Sequence, residues 1–316
     1  MSATPVTIGL SAVAMAPLDG EAAVLTVRPD PAGLAGLPAG PFDADAHRTF
    51  ELALRDFVTA QTGLAMGYVE QLYTFGDAGR ETPLARMGDE TRAGRVVSVG
   101  YLALAPAAVE IAAKGAAWRA WTDFFPYEDW RKGRPAVIAE VIDPALRAWA
   151  AADAARRARA EGLFALRDPS AWRDEPVLER FELLYEAGLA LEAARDGGQA
   201  QATGAEALGL PMLSDHRRIL ATGLGRLRGK LRYRPVIFDL MPDTFTLSQL
   251  QKAVEAVTGQ PLHKQNFRRG VERAGLVERT GRIETATGGR PAELFRRRAA
   301  GVDEAQSLGL SLPVRR

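Results

Sequence analysis

An α+β fold in two parts is predicted, from three observations. Strand-like apolar runs alternate with helical periodicity over the first hundred residues, a long helical stretch follows, and the charge of the chain reverses sign near Ser214. The 316 residues, 47% hydrophobic and 25% charged, suffice to bury a sizeable core in two domains.

Taken in order, residues 6–13 and 23–27 read as buried strands separated by the turn-like Pro17-Leu18-Asp19-Gly20, and residues 29–41 as a Pro/Gly-rich loop. A helix is predicted over 45–62, where Phe50, Leu54, Phe57 and Val58 recur at helical spacing and Gly63 suits the position after the last turn. Residues 67–75 and 95–103 are strand-like, and the polar stretch 76–94 between them reads as a mobile loop. Residues 106–197 are rich in Ala, Leu, Glu and Arg and are expected to be mainly helical, most clearly over 177–194 with Leu178, Phe181, Leu184, Tyr185 and Leu189. A small-residue loop, 197–209, leads to a basic amphipathic helix over 215–231. There Ile219, Leu220, Leu224, Leu227 and Leu231 are expected to be buried and Arg217, Arg218, Arg226, Arg228 and Lys230 to project.

Composition excludes several chemistries. Cysteine is absent, which removes disulfides, thiolate catalysis and Cys-ligated zinc, and His47, His216 and His263 are scattered, so a metal site would need carboxylates. No run of about 18 apolar residues occurs, and residues 4–15 are too short and lack the basic flank of a secretory signal, so a cytoplasmic protein without membrane contact is expected. Residues 1–214 carry 20 Lys/Arg against 29 Asp/Glu, net −9, whereas 215–298 carry 18 against 8, net +10. A basic module on an acidic one suits a polyanion-binding domain joined to a sensing or oligomerising domain.

The basic part has an interpretable order. Residues 246–258 show a Thr246…Gln249 capping box, Phe245 and Leu250 placed as a hydrophobic staple, and Gly259 and Pro261 beyond the end. Leu247, Leu250, Val254 and Val257 face inward, leaving Thr246, Ser248 and Gln249 at the start of the helix for a phosphate. Residues 263–274 form a second helix with Phe267, Val271 and Ala274 toward the core and His263, Lys264, Gln265, Asn266, Arg268, Arg269 and Arg273 outside, the residue types that reach base edges and phosphates. Two strands, 276–279 and 293–297, flank Gly288-Gly289-Arg290, whose glycines permit close backbone approach and whose arginine suits a minor groove. Helix, turn, helix and hairpin is the order of a winged helix-turn-helix, here spanning 235–300 before a tail at 301–316. Arg226, Arg228, Lys230 and the wing are expected to hold the DNA backbone.

The chain as a whole resembles the Nudix-related transcriptional regulators of NAD metabolism, most closely their alphaproteobacterial branch. The resemblance rests on Leu-Pro-Ala-Gly (37–40), Gln-Thr-Gly-Leu (61–64), Gln-Leu-Tyr-Thr-Phe-Gly-Asp (71–77), the Arg-Leu-Arg-Gly-Lys-Leu-Arg-Tyr-Arg-Pro run (226–235), His-Lys-Gln-Asn-Phe-Arg-Arg (263–269) and Gly-Gly-Arg-Pro-Ala (288–292). It implies a Nudix-like mixed-sheet domain over 1–234, with a helical insertion at about 106–212, followed by the winged helix. It also implies a homodimer on a palindromic operator, with half-sites a whole number of turns apart, and a response to a nucleotide such as ADP-ribose; no cofactor is implied.

Nudix hydrolysis requires an Arg-Glu…Glu-Glu set on the helix before the Gly-Leu, whose carboxylates hold divalent cations. Anchored on Gly63-Leu64, these positions hold Asp56-Phe57 and Ala60-Gln61, so binding without turnover is expected. Tyr73 and Phe75 are candidates to stack on a base, or simply pack on their strand; Arg48, Arg80 and Arg95 are candidates for phosphate. Trp118, Trp121, Phe124, Phe125 and Trp130 read as helical packing or a dimer interface. Two other readings stay open: a nucleotide diphosphate hydrolase with an accessory basic domain, and a scaffold whose basic part binds RNA or an acidic protein.

Overall fold

The computed structural model describes residues 6–30, 33–77, 79–80, 95–197, 202–284 and 291–298. Most of the expected loop 76–94, the wing-tip residues Gly288, Gly289 and Arg290, and the tail 301–316 lie outside the described residues.

A mixed sheet forms the centre of the N-terminal part. β1 (Val6–Leu18) pairs in parallel with β5 (Arg95–Leu104) and antiparallel with β2 (Glu21–Val27) and β3 (Ala39–Pro41); β4 (Tyr68–Phe75) borders β5 and β6 (Ala116–Ala120) borders β2. The strand order is β4-β5-β1-β2-β6, with β3 off this path. β1 runs five residues beyond its predicted end because the chain reverses only at Asp19 and Gly20, both at positive φ, so Pro17 and Leu18 still pair with β2. β6 departs from the mainly helical expectation for residues 106–197: its five residues complete the sheet through β2, a long-range pairing that local periodicity does not encode.

Both faces of the sheet are covered. α1 (Phe50–Thr62) lays Ala53, Leu54 and Val58 on Leu10, Ala12, Leu25 and Tyr101. It starts later than predicted, because Thr49 caps it by accepting from the Leu52 amide at 3.2 Å, and it ends as expected at Gly63, φ 74°. α6 (His216–Lys230) covers the other face, its Leu220, Leu224 and Leu227 meeting Val13, Met15, Val24 and Leu102. α6 crosses β1 at Gly223, where a Cβ would stand 2.9 Å from Val13 Cγ1; a larger residue there would lift the helix off the sheet.

The insertion contributes α2 (Asp143–Trp149), α3 (Ala154–Phe164), α4 (Val177–Glu186) and α5 (Leu191–Arg195), with Gly188 at positive φ splitting the predicted 177–194 helix into α4 and α5. Trp121, Phe124, Phe125 and Trp130 are 0% exposed within the single chain, so they serve packing and not a subunit contact. Beyond α6, α7 (Leu247–Thr258), α8 (Lys264–Ala274) and the hairpin of β7 (Val277–Glu284) and β8 (Ala292–Arg297) form the winged helix. Phe245 and Phe295 exchange backbone hydrogen bonds of 2.9 and 2.8 Å, tying the entry of α7 to β8. Phe245, Leu250, Val254, Phe267, Val271 and Phe295 belong to the same hydrophobic core as the inner face of α6.

Candidate nucleic-acid interface and nucleotide site

α8 has a sharply divided surface. Phe267 and Val271 are buried, while His263, Lys264, Gln265, Asn266, Arg268, Arg269, Glu272 and Arg273 are exposed. At about 100° per residue, Gln265, Arg269 and Arg273 stand opposite the buried pair, Lys264 and Arg268 lie on one flank, and Asn266 and Gly270 on the other. Arg269 donates from Nη2 to Asn266 Oδ1 at 2.8 Å, a contact along one helix face that restricts a side chain otherwise free in solvent. The open cationic face is the geometry a major-groove reader requires.

At the start of α7 the predicted capping box is present: Gln249 N–H donates to Thr246 Oγ1 at 3.1 Å and Thr246 N–H to Gln249 Oε1 at 2.6 Å. Thr246 is therefore buried and committed to the helix, which corrects its assignment as a DNA contact; Ser248 and Gln249 stay exposed. On the wing, Arg296 pairs with Glu278, Arg279 with Glu293 and Arg297 with Asp239, all at the surface, where such pairs are weak and leave guanidinium donors to spare.

Two of the three expected backbone-holding cations of α6 are elsewhere. Arg228 is 0% exposed, donates to Glu128 Oε2 at 2.7 Å and to the Val257 carbonyl at 3.0 Å, and shares Glu128 with the equally buried Arg180. Lys230 is buried against Glu70 and bonds Tyr68 Oη at 3.0 Å. Arg217, also expected to project, bonds Glu192 and the Phe124 and Leu208 carbonyls from inside the core. Arg226 alone of the DNA-assigned three is exposed in part, 3.6 Å from Glu70. A burial-compatible helix whose cations all find acidic or carbonyl partners cannot be distinguished by periodicity from one with a solvated basic face.

Of these buried cations, Arg228 joins the two parts of the chain. Besides the Arg228 bond to Val257, Trp121 Nε1 donates to the Ala256 carbonyl at 2.7 Å and Trp130 N–H to the Gly259 carbonyl at 2.7 Å, so three donors from the N-terminal part occupy the carbonyls that end α7.

The candidate nucleotide residues partly converge. Tyr73 is 62% exposed and meets the edge of Phe75 at 5.4 Å. Phe75 is only 3% exposed and is packed in the core, so the strand-packing alternative holds for it and base stacking does not. Arg95, at the start of β5, bonds the Gly76 carbonyl; Arg80 grips both Glu182 oxygens at 3.0 and 3.1 Å and lies 3.8 Å over the Tyr185 ring. Arg48 stands apart, exposed in the turn before α1. The sequence reading missed Asp77 and Arg218, which complete this cluster; nothing at their spacing marked them.

On α1, the positions that a Nudix metal site needs have other work. Phe57 fills the space beside Gly40, where a Cβ would come within 2.8 Å of the ring, and Gln61 clamps Ala39 by accepting from its N–H at 3.1 Å and donating to its carbonyl at 2.7 Å. Glu51 is paired with Arg55 at 2.8 Å, and Asp56 is solvated. A divalent cation requires several carboxylates directed at one point, and among the described residues no three His, Asp or Glu side chains gather in that way.

Comparison with known proteins agrees with this geometry. Residues 237–297 match the NrtR DNA-binding winged helix domain. A 91-residue stretch is 41% identical to the ADPR responsive transcriptional repressor NtrR of Acinetobacter baylyi, covering 29% of this chain and 36% of that relative. Over the whole fold, the chain is similar to Shewanella oneidensis NrtR crystallised with a 27mer DNA, at 23% identity and a TM-score of 0.56, with 97% of this chain and 99% of that one covered. It is also similar to a MutT/nudix family protein from Enterococcus faecalis, at 14% identity and a TM-score of 0.53, with 94% and 88% covered. The architecture is thus a Nudix-like domain followed by a winged helix.

Proposed function

We propose that this chain, a Nudix-like domain joined to a winged helix that matches the NrtR family over 237–297, is a DNA-binding transcriptional repressor of NAD metabolism genes that responds to an ADP-ribose-type nucleotide. The observation that carries this reading is the exposed cationic face of α8, held outward by buried Phe267 and Val271. Two copies place their α8 helices in successive major grooves of a palindrome, about 10 bp or a multiple apart, and Ser248, Gln249, Arg226 and the wing contact the backbone. The nucleotide acts by binding the DNA-competent and incompetent dimers with different affinity.

Turnover is not part of the proposal, because Phe57 and Gln61 are committed to packing and to β3 in place of metal ligation. The test uses a duplex recovered by the full chain from a randomised library. Adding ADP-ribose is expected to shift its affinity by about 1–3 kcal/mol. No shift removes the effector, Mg²⁺-dependent release of AMP from ADP-ribose restores the hydrolase reading, and binding without any preferred duplex favours a scaffold.

A further inference from the structure

Three guanidinium groups gather around one surface carboxylate at the end of β4. Arg218, in the first turn of α6, pairs with Asp77 and approaches Asp215 at 3.2 Å. Its Nε lies 2.5 Å from Glu182 Oε1, an ion contact outside hydrogen-bond geometry. Arg80 shares Glu182 from the other side, and Arg95 is fastened to the carbonyl of Gly76, next to Asp77 in the chain. Arg218, then Arg80 and Arg95, hold the Asp77 carboxyl below its usual range. Glu182 and Asp215 are mostly buried beneath the arginines, whereas Asp77 is 58% exposed and belongs to the outer side of the cluster. Tyr73, 62% exposed, reaches the cluster through Phe75: its ring meets the edge of Phe75 at 5.4 Å, and the Arg218 guanidinium lies 5.3 Å from the Phe75 ring.

A solvent-facing carboxylate paired with Arg218, with Arg80 and Arg95 anchored nearby on Glu182 and on the Gly76 carbonyl, stands where an anion belongs, and planar guanidiniums match phosphate oxygens in pairs. We infer that this cluster is the nucleotide site: Arg80, Arg95 and Arg218 hold a diphosphate, Asp77 is the resident anion that the diphosphate displaces, and Tyr73 stacks on the base. The assignment rests on the nucleotide response proposed above and gives it a place on the β4–α6 face of the sheet, away from α1. The buried Glu182 and Asp215 keep the guanidiniums oriented whichever anion is present, and the net charge left when Asp77 swings aside favours a dianion over a lone carboxylate.

Titration calorimetry on the full chain with ADP-ribose, AMP and inorganic pyrophosphate tests this. Asp77→Asn is expected to tighten ADP-ribose binding by on the order of tenfold by removing the competing anion, and Arg95→Gln and Tyr73→Ala each to weaken it about tenfold. All three positions are exposed, so unfolding temperatures are expected to stay near wild type; a variant that falls well below is replaced by Arg95→Lys or Tyr73→Phe, the second of which must retain binding if stacking is the role. Wild-type binding of ADP-ribose that all three variants leave unchanged overturns the site but not the regulatory response. Pyrophosphate binding as tight as ADP-ribose overturns the part assigned to Tyr73. Failure of ADP-ribose to bind wild type overturns the site and the response together, leaving the DNA-binding reading in place.

Discussion

Arg269 and His216 show how single side chains divide between surface and core roles. Arg269 points away from the buried side of α8 and is oriented by Asn266, so Arg269→Ala is expected to weaken the preferred duplex by about 1–3 kcal/mol and to relax its base preference. Arg226→Ala is expected to weaken all duplexes alike, and fluorescence anisotropy against preferred and scrambled DNA separates the two. His216 is fully buried, accepts from the Leu37 amide through Nδ1 at 2.9 Å, and is pushed by burial to a pKa of about 4. With the folded value below the unfolded one, its stabilising contribution is complete above about pH 6.5 and is lost as the pH falls toward 4, on the order of 3 kcal/mol. Burial lifts neighbouring Asp215 to about 6, which works in the opposite direction over the same range. Urea titrations of His216→Asn at several pH values are therefore expected to show wild type losing its advantage on acidification. The exposed residues of α8 were legible in the sequence because Phe267 and Val271 at i, i+4 fix the direction of the remainder. Arg228 and Lys230 were not, because their partners Glu128 and Glu70 lie 100 and 160 residues away in the chain.

Among the elements, α1, β4, β5, α7 and α8 were all legible, each from a periodicity ended by its own local signal such as Gly63 or the Thr246…Gln249 box. β6 was hidden: a five-residue edge strand carries too short a pattern to outweigh the helical composition around it. The ends of elements carry the junction as well. Glu128 is shared as counter-charge by Arg180 and Arg228, all three side chains unexposed, and Arg228 continues to the last turn of α7. Glu128→Gln leaves two buried guanidiniums without their counter-charge and is expected to cost about 3–5 kcal/mol in denaturant titrations. Hydrogen exchange at the end of α7 is expected to rise in the same variant, because the carbonyl of Val257 loses a donor held in place by Glu128.

For the molecule as a whole, the charge reversal at Ser214 proved to have two sources. Part of the surplus is spent internally, where Arg217, Arg228 and Lys230 meet Glu192, Glu128 and Glu70 and Arg218 and Arg232 pair with acidic neighbours; the cations of α8 and of the described wing strands face solvent. Counting the whole basic segment as a DNA footprint therefore overestimates it, and the affinity should fall with salt less steeply than 18 cations imply. A measured slope near −0.9 for each exposed cation of α8, the wing and Arg226, and none for the buried Arg217, Arg228 and Lys230, checks this. The Nudix-like domain was legible as a resemblance in short pieces, while the arginine cluster at Asp77 required the fold, since β4, α4 and α6 meet there from distant parts of the chain.

α6 joins Arg218 at one end to Arg228 and Lys230 at the other, and its 15 residues make a lever about 22 Å long. Pressed flat on β1 at Gly223, it has a natural pivot at its middle. Rocking the whole lever by about 5° would carry its tip by roughly 1 Å, and two such tips in a symmetric pair would open or close their span by about 2 Å, over half the ~3.4 Å step between stacked bases. On the proposed nucleotide response, rocking a single helix of this length would be enough to turn the arrival of a small molecule into a mismatch with the pitch of DNA.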